Sequence, residues 1–137
     1  MRSPHTQLYA HCVWATWDRL PLLTSDIRDV VYGTIANECK KLGCHAIAIG
    51  GIDNHIHVLV RYPPTVTIAA LIKQIKGSSS HFITHELRPN QFFKWQGAYG
   101  AFSISQAALD TVADYIRNQE RHHSTRSLQP QWELNAR

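Results

Sequence analysis

The chain has 137 residues, 44% of them hydrophobic and 18% charged, which excludes a disordered protein and fits one folded domain over 1–137. Its formal charge of +4 and pI of about 9.2 favour an anionic partner such as nucleic acid. No apolar run approaches a membrane span, no signal-peptide core follows Met1-Arg2-Ser3-Pro4-His5, and Cys12, Cys39 and Cys44 show no metal spacing or disulfide framework, so the expected setting is cytoplasmic.

From Gln7 to Trp17 the residues alternate, with Leu8, Ala10, Cys12 and Trp14 on one side and Tyr9, His11 and Val13 on the other, as in a strand. After Pro21, Ser25 is the expected N-cap of a helix, with Asp26 in the first turn where the helix dipole favours an acid. Ile27, Val30, Val31, Ile35 and Leu42 recur at helical spacing, and Gly43 is the expected stop. Cys44 to Ile49 is a short apolar strand. Gly50-Gly51 with Asp53-Asn54 is expected to turn the chain into a further strand from His55 to Arg61. Tyr62-Pro63-Pro64 ends that strand, because proline lacks the ladder donor.

A second helix starts at Thr67 and carries Ile68, Leu71, Ile72, Ile75, Ser79 and Phe82 on one side. Lys73, Lys76, Ser80 and Thr84 share the other side, with Gly77 beside them. Such lysines are a solvated face or, next to the Gly77-Ser78-Ser79-Ser80 run, a phosphate-binding one. Arg88 to Gly100 is expected to be mostly loop and Tyr99 to Ile104 a fourth strand. A third helix is expected from about Ser105 to His123, and a polar, peripheral tail from Ser124 to Arg137.

The first six elements fit the ferredoxin-like split βαβ pattern over about residues 6–104. The expected fold class is thus α+β, a ferredoxin-like or RRM-like antiparallel sheet with helices on one face and a C-terminal helix added. The other face would carry Tyr9, His11, His55, His57 and Arg61 and lie open, as sheets that receive nucleic acid do, unless the last helix or a dimer partner covers it.

Two segments carry chemistry. In His55-Ile56-His57-Val58-Leu59-Val60-Arg61 the histidines share one strand face, opposite Ile56, Val58 and Val60. Adjacent imidazoles on a rigid strand either pack and hydrogen-bond or hold one divalent metal with coordination positions left open. In Asp114-Tyr115-Ile116-Arg117-Asn118-Gln119-Glu120-Arg121-His122-His123, Leu109, Val112, Ala113 and Ile116 form the apolar stripe. Tyr115 and Gln119 stand one turn apart, about 40° from each other, at the border of that stripe. A tyrosine hydroxyl there is a packing group or a nucleophile, and Gln119 is a solvated residue or a neutral oxygen donor. His122 and His123 are surface groups favoured near a helix C-terminus.

Four stretches together resemble the IS200/IS605-type transposases, single-domain enzymes of the His-hydrophobic-His (HUH) nuclease class. They are His11-Cys12-Val13-Trp14-Ala15-Thr16, Asp53-Asn54-His55-Ile56-His57-Val58-Leu59-Val60, Leu71 to Ser80, and Tyr115 to His123. The resemblance implies His55, His57 and Gln119 as ligands of Mg²⁺ or Mn²⁺ and Tyr115 as nucleophile on single-stranded DNA. It implies a 5′-phosphotyrosine and a free 3′-hydroxyl that later rejoins the DNA. It also implies hairpin-containing element ends as partner, and a homodimer in which the tyrosine helix of one subunit completes the histidine site of the other. Lys73, Lys76, Gly77 and Ser80 on the second helix, and Arg61 on the open sheet face, are the candidate DNA contacts. Asn54 stands where many relatives carry an acid. The competing reading is a non-catalytic or domesticated nucleic-acid-binding module of the same fold, which would use the open sheet and need no metal.

Overall fold

The structure is a computed structural model, and it describes residues 4–121 and 130–133. Strands β1 (Tyr9–Ala15), β2 (His45–Ile52), β3 (His55–Arg61) and β4 (Gly100–Ser103) form one sheet in the order β2-β3-β1-β4. Every neighbouring pair is antiparallel, giving the ferredoxin-like α+β arrangement expected. Helices α1 (Ser25–Lys41) and α2 (Ile68–Phe82) cover one face, and α3 (Leu109–Arg117) covers the other.

Strand alternation decides what each face buries. Ala10, Cys12 and Trp14 of β1 and Ile56, Val58 and Val60 of β3 pack with Ile27, Val31 and Ile35 of α1 and Leu71, Ile72 and Ile75 of α2. Trp95 closes this core by standing edge-on to Trp14, and its indole N–H donates to Ser79 Oγ at 2.9 Å. Serine in that apolar stripe is thus accounted for.

Helix ends follow local chemistry. Gly43 has φ +75, and the amides of Gly43 and Cys44 close back onto the carbonyls of Lys40 and Cys39, which caps α1. The Thr67 hydroxyl accepts from the Ala70 amide and caps α2. The N-cap of α1 is Thr24 rather than Ser25, and its hydroxyl goes to the Asp26 carboxylate instead of the backbone. Val30, expected in the stripe of α1, is 48% exposed, because the buried arc of that helix runs through Ile27, Val31, Ile35, Glu38 and Cys39.

Two further expectations change. Gly50-Gly51 lies inside β2, and Asp53-Asn54 alone makes the turn into β3. A register shift at Ile47 brings Ala48 and Gly50 onto the face that α3 covers, and a Cβ on Gly50 would stand 2.0 Å from the Ile116 carbonyl oxygen. Gly50 therefore admits the backbone of α3. The third helix begins with a short 3-10 turn, Gln106–Ala108, and its α-helical run stops at Arg117; Asn118 leaves helical geometry before residues 119–121 turn helically again. His122 and His123 lie outside the described residues.

Candidate active site

Face two of the sheet does not lie open. Val112, Ala113 and Ile116 of α3 pack on Ala48 and Leu59, His57 is buried against Tyr115 and Glu133, His11 is buried against Trp132, and Tyr9 on the same strand face is buried as well. The cause is the apolar stripe of α3, which would otherwise face water. Arg61, at the far end of β3, stays exposed and away from the histidines. The sheet surface that a binding module would use is thus occupied by the chain itself.

This packing brings Tyr115, Gln119, His55 and His57 of one chain together. Tyr115 is 4% exposed and Gln119 only 1%, so neither is the solvated border residue its helix position allowed. Gln119 Oε1 stands 3.2 Å from His55 Nε2, and the rings of His57 and Tyr115 meet edge to face with centroids 6.2 Å apart. The break at Asn118 precedes Gln119, whose amide nitrogen lies 3.5 Å from the Tyr115 carbonyl.

Residues outside those four complete the surroundings. His55 Nδ1 lies 2.9 Å from Asn54 Oδ1, and His57 Nδ1 lies 2.8 Å from His11 Nε2. The Asn54 oxygen accepts only, so in its neutral form His55 carries its hydrogen on Nδ1 and turns Nε2 as an acceptor towards Gln119 and Glu133. If His57 likewise donates from Nδ1 to His11, its Nε2 is also an acceptor, which is the tautomer a metal requires. Burial holds the His11 imidazole down to about 3, and the neighbouring His57 adds to this. Burial lowers His57 in the same direction.

Glu133 was not legible as a site residue. Its Oε1 is 3.2 Å from His57 Nε2 and 3.3 Å from His55 Nε2, and its Oε2 accepts the hydrogen bond of the Tyr115 hydroxyl. Burial alone would raise this carboxyl; the imidazoles of His55 and His57 and the Tyr115 hydroxyl outweigh it and hold the group well below the usual carboxylate range. Trp132 packs against Tyr115 and His11, with centroids at 5.1 and 6.4 Å. Part of the tail expected to be peripheral is therefore in the site; residues 124–129 and 134–137 lie outside the described residues. The one sequence signal was a tryptophan and an acid side by side in a polar stretch.

The donor set suits a divalent cation. Donor atoms of His55, His57 and Glu133 all lie within 4.8 Å of one another. Two donors at right angles on an ion about 2.1 Å away stand about 3.0 Å apart, close to the spacings found here. Imidazole with oxygen donors matches Mn²⁺ or another transition ion on ligand type, and Mg²⁺ less well.

The suggested DNA contacts are not gathered at this point. Lys73, Lys76, Gly77 and Ser80 sit on α2, across the sheet from the histidines. Lys76 donates to the Gln96 carbonyl, and burial lowers its ammonium; Lys73 and Gly77 line a groove between α1 and α2. Among the described residues no helix is long and apolar enough to cross a membrane.

The family model described as "Transposase IS200 like" matches residues 4–119. No curated protein matches the chain. Among the solved structures that share its fold are two transposases. One, described as a transposase from Deinococcus radiodurans R1, is 22% identical, with a TM-score of 0.68, covering 87% of this chain and 95% of that one. The other, a REP-associated tyrosine transposase bound to a REP hairpin, is 15% identical, with a TM-score of 0.66, covering 90% of this chain and 73% of that one.

Proposed function

The chain belongs to the IS200-like transposase family, and from that membership we propose that it cleaves and rejoins single-stranded DNA through Tyr115, as an HUH-class enzyme dependent on a divalent metal. The observation that most supports this reading is the convergence of Tyr115 and Gln119 with His55 and His57 beneath α3. A packing tyrosine has no need of two imidazoles, an amide and a carboxylate around it.

Bound by His55, His57 and Gln119, Mg²⁺ or Mn²⁺ would neutralise the charge on a phosphodiester and stabilise the departing oxygen. Tyr115 contributes the nucleophile. Its Oη gives up its proton and bonds to phosphorus, the bond from phosphorus to O3′ breaks, and O3′ takes up a proton, so that a 5′-phosphotyrosine and a free 3′-hydroxyl result. Attack by that hydroxyl on the adduct reverses the step and rejoins DNA without an external energy source. Rigid seating of Tyr115 on the sheet lowers the entropy cost of reaching this geometry. His11 and Asn54 orient the two imidazoles.

Element ends that fold as hairpins are the proposed substrate, by analogy with the hairpin held by the REP-associated structural neighbour. Lys73, Lys76, Gly77, Ser80 and Arg61 are proposed to contact the DNA backbone beyond the reacting phosphate. Homodimerisation remains part of the proposal, although one chain assembles Tyr115, Gln119, His55 and His57 by itself.

The test mixes the protein and Mn²⁺ or Mg²⁺ with end-labelled single strands copied from the DNA flanking its gene. A label covalently bound to protein is expected with wild type and at background level with Tyr115→Phe, with DNA binding retained. Equal adduct in both proteins would remove Tyr115 from the role.

A further inference from the structure

Family membership accounts for two imidazoles, an amide and a tyrosine; it does not account for the carboxylate among them. Glu133 comes from the far end of the chain, yet its side chain is only 12% exposed and touches the facing nitrogens of both histidines. The hydrogen bond to Asn54 leaves His55 Nε2, when neutral, as a lone pair. That lone pair faces Gln119 Oε1 at 3.2 Å and Glu133 Oε1 at 3.3 Å. Acceptors this close in a buried place need a positive charge between them, a proton on an imidazole or a metal cation. The 3.2 and 3.3 Å from His55 Nε2 are close to the spacing of adjacent ligands on a single ion, about 3.0 Å.

Charge points the same way. His55, His57 and Gln119 are neutral donors, and a divalent ion held by them alone would bring its whole charge into a site that is almost fully buried. One carboxylate halves that charge. Two histidines and one carboxylate also form a recurrent set for divalent transition ions.

We propose that Glu133 is a further ligand of the cation at His55 and His57, with Oε1 on the cation and Oε2 holding the Tyr115 hydroxyl. The inference rests on the metal-dependent reading above and deepens it. Glu133 would tie the nucleophile to the cation through one carboxylate, and the edge contacts of Trp132 with Tyr115 and His11 would hold the segment in place.

Mn²⁺ alone, without DNA, tests this. Free Mn²⁺ is followed by its solution EPR signal as the full chain is titrated. Wild type is expected to bind one ion. His57→Ala should abolish uptake, and Glu133→Gln, which keeps size and shape, should weaken it at least about tenfold. Glu133→Asp, one methylene shorter, should fall between wild type and Glu133→Gln and guards against a Gln variant that misfolds. Unchanged metal-free melting midpoints would show that the fold is intact. Wild-type affinity in Glu133→Gln and Glu133→Asp, with uptake lost in His57→Ala, would overturn the proposal and leave the histidine site standing. No uptake by wild type would overturn the metal reading itself and this inference with it.

Discussion

On β1 and β3, Cys12 and Val58 point beneath α1 and α2, while His11 and His57, one residue away on each strand, point beneath α3. Both faces are buried, but differently. Under α1 and α2 the contacts are mostly apolar; Ser79 with Trp95 is a satisfied polar pair, and the buried Trp14 indole N–H has no partner among the described residues. Under α3 a smaller apolar patch of Ala48, Leu59, Val112, Ala113 and Ile116 adjoins a cluster of imidazole, amide, phenol and carboxylate. The same strands thus supply a stabilising face and one that gathers reactive groups, and α3 seats the proposed nucleophile on the second at a greater cost in buried polar groups.

The largest expected effect breaks the first face. Trp14 is fully buried against Trp95, and Trp14→Ala should cost about 3–5 kcal/mol in urea unfolding. His57→Ala, which relieves buried polar atoms as well as removing contacts, should cost less while abolishing Mn²⁺ uptake. An equal or greater loss for His57→Ala would mean that the second face also serves as core.

Gly50→Ala breaks the second face. The added Cβ meets the Ile116 carbonyl, so α3 must shift, and the expected cost is about 1–3 kcal/mol. Adduct formation should fall further than stability does, because Tyr115 moves with the helix. Unaltered adduct formation would show that the seating of α3 is not required.

The two faces should also fail at opposite ends of the pH scale. His11 is held down to about 3, so the stability it contributes is present above its usual value of 6.5 and is lost as pH falls toward 3. His57 and Glu133 are lowered as well and lose their contribution in the same direction. Burial pushes the Cys12 and Cys39 thiols of the first face up to about 12, so their contribution is present below the usual 9.0 and is lost as pH rises toward 12. Melting midpoints from pH 4 to 11 check this, with His11→Gln expected to flatten only the acid limb. A variant that leaves the acid limb unchanged would remove His11 from the account.

Much of this was legible in the residues. Alternation in β1 and β3 gave both faces their membership, Gly43 and Thr67 marked helix ends, and the spacing of Tyr115 and Gln119 placed them one turn apart. The rest was hidden for physical reasons. Gly50-Gly51 has the composition of a turn, and only the approach of Ile116 explains glycine within a strand. Alternation put His11 on the histidine face, but its partnership with His57 depends on the β1–β3 register. Covering of the second face was one of two alternatives that an amphipathic third helix left open. Glu133 follows no periodic pattern, and its place depends on a tertiary approach from a part of the chain remote from His55 and His57.

The most direct measurement is the anomalous scattering of Mn²⁺ in crystals of the protein. The account predicts one strong peak within about 2.3 Å of Nε2 of both His55 and His57, beside Gln119 and on the Tyr115 side of the sheet. A peak elsewhere, or none at saturating Mn²⁺, would contradict it.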